Sequence, residues 1–152
     1  MSAYTVRLDE VPSIPLAVIR RQANQGELSR LVPEFCGRVW TEVKQQGVRA
    51  GRHVAIYWNR DIRLEAGVEL HGHFTEHDPV VLSATPSGVV ATVRHFGPYQ
   101  RLGDAHEAVR AWSRANGHLL AGPNWEIYGH WRDEWNSDPA SIVTDVFYQV
   151  TP

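Results

Sequence analysis

The strongest candidate for chemistry in this sequence is a glutamate among aromatic residues, in the stretch Trp125-Glu126-Ile127-Tyr128. Successive side chains of a strand point to opposite faces, so Glu126 and Tyr128 are predicted to share one face of a sheet. Tyr57 occupies the position equivalent to Tyr128 in an earlier, similar stretch, and it is predicted to lie on the same face. A carboxylate on an aromatic surface must be paired, hydrated or protonated, because burial of an unpaired charge is costly.

Two interpretations of Glu126 follow from this pattern. In the first, it contacts a cationic or hydrogen-bonding ligand, or it activates a water molecule. In the second, it forms a structural salt bridge with an arginine such as Arg94 or Arg132. The first is favoured, because the corresponding position of the earlier stretch holds Ala55 and the similarity is broken there by a carboxylate.

Tryptophan is unusually frequent, with six residues in a chain of 152. Trp suits an apolar, polarisable surface for a ligand. Three tryptophans in or beside loops are predicted to form pocket walls or a lid, with local loop packing as the alternative: Trp58, Trp131 and Trp135. Phe147, on the predicted last strand, is a further candidate ligand contact. Trp40 and Trp112 lie on predicted helices and are assigned to the core.

Other clusters of reactive side chains are weaker. His71-Gly72-His73 could place two imidazoles on one strand face, but third and fourth metal ligands are not evident, so no metal and no cofactor are predicted. Cys36 is the single cysteine, so an internal disulfide is excluded. No basic residue is placed to lower the pKa of its thiol, so it is not expected to be reactive. No serine lies in a nucleophile-elbow motif.

An internal repeat must position the candidate residues. Residues 17–21 and 91–95 both show strand alternation, and a helical stretch ending at Gly47 or Gly117 follows each of them. Ala50-Gly51 then precedes Ile56-Tyr57 by the same offset as Ala121-Gly122 precedes Ile127-Tyr128. We predict one domain over residues 1–152, formed by two β-α-β-β units at about 4–74 and about 80–150.

The predicted fold class is α+β, a curved antiparallel sheet with two helices on one face and a central ligand groove. Apolar residues at helical spacing mark the first helix (Leu28, Leu31, Phe35, Val39, Val43) and the second, from Gln100 to Asn116 (Leu102, Ala105, Val109, Trp112). Pro33 is expected to limit where the first helix begins. Residues 85–88 are expected to form a tight turn between strands. The groove is expected on the sheet face that the helices leave free.

Composition excludes several classes of function. The net charge is −2 and the fifteen basic residues are scattered, so direct binding of nucleic acid is not expected. The apolar runs are too short to span a membrane, and the N-terminus lacks the pattern of a signal peptide. A cytoplasmic protein is therefore expected.

The segment from His95-Phe96-Gly97-Pro98-Tyr99 to Leu102, together with Gly122-Pro123 and the Trp-Glu-Ile-Tyr strand, resembles the GyrI-like family. That family includes effector-binding domains attached to AraC-type and MerR-type transcription regulators. The resemblance implies a duplicated, SHS2-type fold whose concave pocket binds many lipophilic, often cationic, molecules, with Glu126 as the pocket carboxylate inside an aromatic cage. The last strand departs from the family pattern, since Phe147 lacks the hydroxyl of the usual tyrosine. Because the two repeats account for all 152 residues, a stand-alone binding module without a helix-turn-helix domain is expected.

Three functions remain in view. The first is binding of a lipophilic, aromatic or cationic small molecule for sensing or sequestration, with Glu126 as the polar anchor. The second is hydrolysis of reactive electrophiles, such as the cyclopropane-containing DNA-alkylating natural products that some relatives open; Glu126 would activate water, and Tyr57 or Tyr128 would donate a hydrogen bond. The third is a protein-interaction module of the gyrase-inhibitor type. The sequence does not predict the oligomeric state.

Overall fold

The computed structural model describes residues 4–151. Within them, two successive β-β-α-β-β units provide eight strands and two α-helices. The first unit contains β1 (Arg7–Val11), β2 (Pro15–Gln22), α1 (Leu28–Gln45), β3 (Ala50–Tyr57) and β4 (Arg63–Leu70). The second contains β5 (Val81–Ala84), β6 (Gly88–Phe96), α2 (Leu102–Ala115), β7 (Leu120–Tyr128) and β8 (Val143–Val150). The predicted α+β fold with a curved antiparallel sheet and two helices is confirmed.

Both helices end where their glycines predict. Gly47 and Gly117 have φ angles of 71° and 73°, in the left-handed region that favours glycine. Beyond Gly47, the N–H of Val48 donates to the carbonyl of Val43 at 3.2 Å, which satisfies an otherwise unpaired carbonyl of the last turn. No helix within residues 4–151 is both long and apolar enough to span a bilayer.

The start of α1 differs from the prediction. The helix begins five residues before Pro33, so this proline lies beyond the first turn. A capping box stabilises the preceding 3₁₀ turn: the Asn24 side chain accepts from the N–H of Glu27 at 3.2 Å, and the Glu27 carboxylate accepts from the N–H of Asn24 at 3.1 Å. This capped turn leads directly into α1 and sets its start upstream of the proline.

The strand order is β1-β6-β8-β7-β3-β4-β2-β5, with antiparallel pairing throughout. The first strand of each unit pairs with the other unit, since β1 joins β6 and β5 joins β2. Residues 85–88 therefore do not form a hairpin turn, because β5 and β6 lie near opposite ends of the sheet. The expectation of a tight turn is wrong, and the segment is a crossover.

The two ends of the sheet curl toward each other. Residues 12–14, which link β1 to β2, meet the other crossover through hydrogen bonds from Ser13 Oγ to the Thr85 carbonyl (2.7 Å) and from the Ile14 N–H to Thr85 Oγ1 (2.8 Å). Val11 and Val81, from strands at opposite edges, pack against one apolar cluster around Trp125. This face of the sheet is closed by the curvature of the sheet itself.

The helices lie on the other face, one over each half. α1 packs on β2, β3 and β4, while α2 packs on β6 and β8, and each has its own apolar cluster. The strand between these two sets, β7, has no helix over it. The expectation that the groove lies on the helix-free face is wrong: that face is filled by its own core, and the opening lies between the helices.

Candidate functional site

The gap between α1 and α2 is a cavity of about 1160 Å³, large enough for a drug-sized molecule. The facing sides of the two helices form its walls, and β3, β7 and β8 form its floor. Two glycines widen the cavity because they place no side chain in it: Gly37 on α1 and Gly103 on α2 both line it. A Cβ added at either position would have no other part of the chain within 4 Å. The space beside these two glycines is therefore unfilled, and the gap between the helices is wider there.

Glu126 lies on the floor of this cavity and is 5% exposed. Its Oε1 accepts hydrogen bonds from the hydroxyls of Tyr57 (3.1 Å) and Tyr128 (2.5 Å). Its Oε2 lies 2.6 Å from Nε2 of His106 on α2. Both carboxylate oxygens are thus engaged, by groups from β3, β7 and α2.

Strand register explains this meeting. Glu126 of β7 pairs directly with Ala55 of β3, and Tyr57 is two residues beyond Ala55 on the same face. Ala55 holds, in the first repeat, the position that Glu126 holds in the second. Its small side chain lies directly opposite the carboxylate. The structure therefore brings together Glu126, Tyr57 and Tyr128, the three residues that alternation assigns to one face.

The contacts of Glu126 determine its charge state. Burial raises the pKa of this carboxyl, but the hydrogen bond and charge of His106 and the hydrogen bonds from Tyr128 and Tyr57 outweigh it, so the pKa lies below its ordinary value. The pKa values of Tyr57 and Tyr128 are raised well above normal by burial and then by the charge of Glu126. The site therefore holds an ionised carboxylate between two neutral phenols.

A polar chain continues from Glu126 along α2. His106 Nδ1 lies 2.7 Å from the hydroxyl of Tyr148 on β8, and Arg110 donates to the same hydroxyl at 2.9 Å. The guanidinium of Arg110 also contacts the carboxylate of Glu107 at 3.1 Å. His106, Arg110 and Tyr148 all line the cavity, and none of them was a candidate from the sequence.

A helical pattern could have pointed to part of this chain. Gly103, His106 and Arg110 are spaced by three and four residues, directly beside the apolar stripe of α2, so they share one face of the helix. Nothing in that pattern indicates which strand the face approaches.

Tyr148 corrects the comparison of the last strand with the family pattern. Phe147 was expected to contact the ligand, but it pairs with Trp125 and stacks on that ring at 5.4 Å, on the helix-free face. Tyr148, one position later, points to the helix side. The last strand therefore does present a tyrosine hydroxyl to the cavity, at position 148.

The rim of the cavity is aromatic. Trp131 is 51% exposed and lines the cavity, together with Tyr99, which contacts the Tyr128 ring edge-on at 5.7 Å. Trp40 also lines it and is 37% exposed, so its assignment to the core is wrong: α1 turns this residue toward the gap. Trp112, by contrast, packs against the cluster under α2, as predicted.

Two other tryptophans that were candidate pocket walls do not line the cavity. Trp135 is buried and contacts Trp131 edge-on at 5.4 Å, so it supports the rim from within the β7–β8 loop. Trp58 packs against the core of the helix-free face, because it follows Tyr57 by one residue and alternation turns it to the other side.

The alternative partners of Glu126 are engaged elsewhere. Arg94 pairs with Asp145 at 2.8 Å, and Arg132 with Glu134 at 3.3 Å. Cys36 lines the cavity, and burial raises its pKa to about 12, so it stays a thiol at neutral pH. No group of three or more His, Cys, Asp or Glu side chains in the described part of the chain is arranged to hold a metal ion.

Comparison with known families gives one match over nearly the whole chain. The sequence model of the GyrI-like small molecule binding domain matches residues 4–151. Among curated proteins, none matches this sequence.

Solved structures share the fold at low sequence identity. The C-terminal domain of EcmrR has a TM-score of 0.81 at 21% identity, covering 99% of both chains. EcmrR in its complex with DNA has a TM-score of 0.78; the match covers 97% of this chain but 57% of that one. SAV2435 bound to tetraphenylphosphonium has a TM-score of 0.65 at 12% identity, covering 97% of this chain and 94% of that one. A hydrolase from Listeria innocua has a TM-score of 0.60 at 14% identity, covering 96% and 91%. At these identities the likeness shows the fold.

Proposed function

The chain belongs to the GyrI-like family of small-molecule binding domains, and on that premise we propose that its cavity binds lipophilic aromatic cations. One observation carries the proposal: the carboxylate of Glu126, with a pKa held below normal, lies on the floor of a large cavity lined by aromatic rings. Apolar surface binds the body of such a ligand, and the charge of Glu126 favours a cation.

The aromatic lining supports the same class of ligand. A cation over an aromatic face gains about 0.5 to 2 kcal/mol for each contact, and the cavity offers rings of Tyr57, Tyr99, Trp40 and Trp131 around its floor and rim. SAV2435, which shares the fold, is bound to tetraphenylphosphonium, a lipophilic aromatic cation. EcmrR, which also shares the fold, is seen in a complex with DNA, and the match covers 57% of its chain. Our proposal concerns the binding cavity alone, in a sensing or sequestering role.

Intrinsic tryptophan fluorescence tests the proposal, since Trp40 and Trp131 line the cavity. Tetraphenylphosphonium and the neutral triphenylphosphine oxide would be titrated into the wild type, Glu126→Gln and Glu134→Gln. We expect saturable quenching by the cation, weakened at least about tenfold by Glu126→Gln (about 1.4 kcal/mol). Glu134→Gln, on an exposed loop residue, should leave both affinities unchanged. Equal loss of the neutral ligand in Glu126→Gln would contradict a charge-based role.

Hydrolysis of a reactive electrophile is a second candidate, favoured by the two tyrosine hydroxyls on one oxygen of Glu126. The carboxylate would accept a proton from an attacking water, while a tyrosine hydroxyl stabilises the developing charge. It ranks second, because the same hydrogen bonds lower the pKa of Glu126 and make it a weaker base. Mass spectrometry of the ligand after incubation distinguishes the two: a product formed by the wild type and absent with Glu126→Gln would establish the enzyme.

A further inference from the structure

The negative charge of Glu126 already has a partner in the cavity. His106 contacts Oε2 at 2.6 Å, and the side chains of the pair are 14% and 7% exposed. A carboxylate carries no proton to donate, so Nε2 of His106 must carry the hydrogen of this bond. A cationic ligand that approaches Glu126 therefore meets an imidazole beside it, and a protonated imidazole would repel that ligand.

The second nitrogen of His106 is placed to gain or lose a proton without any movement. Nδ1 lies 2.7 Å from the Tyr148 hydroxyl, which also accepts from Arg110. If Nδ1 carries a proton, it donates to the second lone pair of the Tyr148 oxygen. If Nδ1 is bare, the Tyr148 hydroxyl donates to it. The same geometry thus satisfies both the imidazolium and the neutral imidazole, and Nε2–H stays on Glu126 in each.

We propose that His106 sets the charge specificity of this cavity by acting as the resident counter-ion of Glu126. Whenever the imidazole of the empty cavity is protonated, the pair is an imidazolium and a carboxylate with a net charge of zero. A lipophilic cation takes over the role of counter-ion, and the Nδ1 proton leaves to solvent through the open cavity. One cation then enters for one proton released, whereas a neutral ligand of the same shape binds without proton exchange. This inference rests on the proposed binding of cations.

Other ionisable groups that share the cavity with His106 define the controls. They come from every element that lines it: Cys36 on α1, Tyr57 and His53 on β3, Glu126 and Tyr128 on β7, Tyr148 on β8, Arg110 on α2, Tyr99 before α2, and His130 after β7. Glu107 on α2 pairs with Arg110. Burial raises the pKa of Cys36, and of the four tyrosines, so these groups stay neutral near neutral pH. His53 and His130 are the other imidazoles that line the cavity.

Isothermal titration calorimetry counts the protons. Tetraphenylphosphonium would be titrated into the wild type in buffers of different ionisation enthalpy, from about pH 5.5 to about pH 8.5, the range in which histidine titrates. We expect release of up to about one proton per cation and an affinity that rises with pH, at most about tenfold per unit. His106→Gln keeps an N–H donor for Glu126 but does not titrate, so its affinity should not vary with pH. The variants His53→Asn and His130→Asn remove the other cavity imidazoles and should keep both the proton release and the dependence of affinity on pH, whatever their absolute affinity. His73→Asn, at an exposed histidine outside the cavity, should match the wild type.

The possible results separate the role of His106 from the binding proposal itself. Saturable binding with no proton release by the wild type, or with the same release by His106→Gln, overturns the role of His106 and leaves the binding proposal standing. Absence of binding at every pH refutes the binding proposal and this inference with it. If His106→Gln fails to fold, NMR of isotope-labelled histidine in the wild type gives the answer. One ring must change from doubly protonated to the neutral Nε2–H form when the cation is added, and no such change refutes the role.

Discussion

Replacement of His106 by leucine should expose the cost of burying the Glu126 charge. The substitution removes the group at 2.6 Å from Oε2, while Oε1 keeps its bonds from Tyr57 and Tyr128. The carboxylate remains 5% exposed, so its charge is no longer compensated. We therefore expect the variant to fold with a lower free energy of unfolding than the wild type.

The magnitude follows from the lost contact. Breaking a buried ion pair by removal of one partner costs about 3 to 5 kcal/mol, and a hydrogen bond to a charged group contributes about 1.5 to 3 kcal/mol. Two tyrosine donors remain and the cavity admits water, so we expect the low end, about 2 to 3 kcal/mol at about pH 7.5. For a chain of this length, that corresponds to a drop in Tm of about 5 to 10 °C.

The pH dependence has a definite sign. In the wild type the pKa of Glu126 is depressed in the folded state, so its contribution to stability is present above the unfolded pKa and is lost as pH falls through the folded pKa. Without His106, this carboxyl loses the hydrogen bond and the charge that most lower its pKa, so we expect its folded pKa to rise. The two variants that lack His106 isolate this effect: the free energy of unfolding of His106→Leu should approach that of His106→Leu/Glu126→Gln as pH falls toward about 5.

Urea unfolding followed by tryptophan fluorescence measures these differences. His73→Leu, at an exposed histidine, is the matched control and should match the wild type at both pH values. The double variant His106→Leu/Glu126→Gln removes the charge itself and should recover most of the loss, to within about 1 kcal/mol of Glu126→Gln. A loss below about 0.5 kcal/mol for His106→Leu at neutral pH, or a double variant as unstable as the single one, would refute a charged, buried pair.

Three further outcomes test other parts of the site. Gly37→Leu should lower the affinity for tetraphenylphosphonium at least about tenfold without lowering Tm, because its side chain enters open cavity space; calorimetry of binding and of unfolding checks both. Trp131→Ala should weaken cation binding with little change in stability, whereas Trp135→Ala should cost about 3 kcal/mol in urea unfolding, because the first side chain is 51% exposed and the second is 6% exposed. Cys36 should react with a thiol reagent at about pH 8 far more slowly in the folded than in the urea-unfolded protein, because burial raises its pKa to about 12; equal rates would contradict this.

Local sequence signals predicted the elements and which residues share a face. The repeat located both helices, Gly47 and Gly117 marked their ends, and period-two alternation grouped Glu126 with Tyr57 and Tyr128. These signals are local because a helix end or a strand face depends on a few neighbouring residues. They carry no information about which face of the sheet receives the helices.

The errors share that origin. The groove was expected on the helix-free face, but Ile127 and Ile56 lie in an apolar cluster on that face, which the curvature of the sheet closes. The strand exchange of β1 and β5 turned an expected hairpin into a crossover, because pairing partners far apart in sequence leave no local mark.

The sequence by itself determined that an ionisable carboxylate lies among aromatic side chains on one strand face of a duplicated α+β domain. Only the tertiary structure decided what that carboxylate meets. His106 and Tyr148 are 20 and 22 residues from Glu126 along the chain, on α2 and β8, and they reach it because each helix covers one half of the sheet and leaves β7 open between them. The distance between side chains on different elements depends on how those elements pack, and packing is a property of the whole chain.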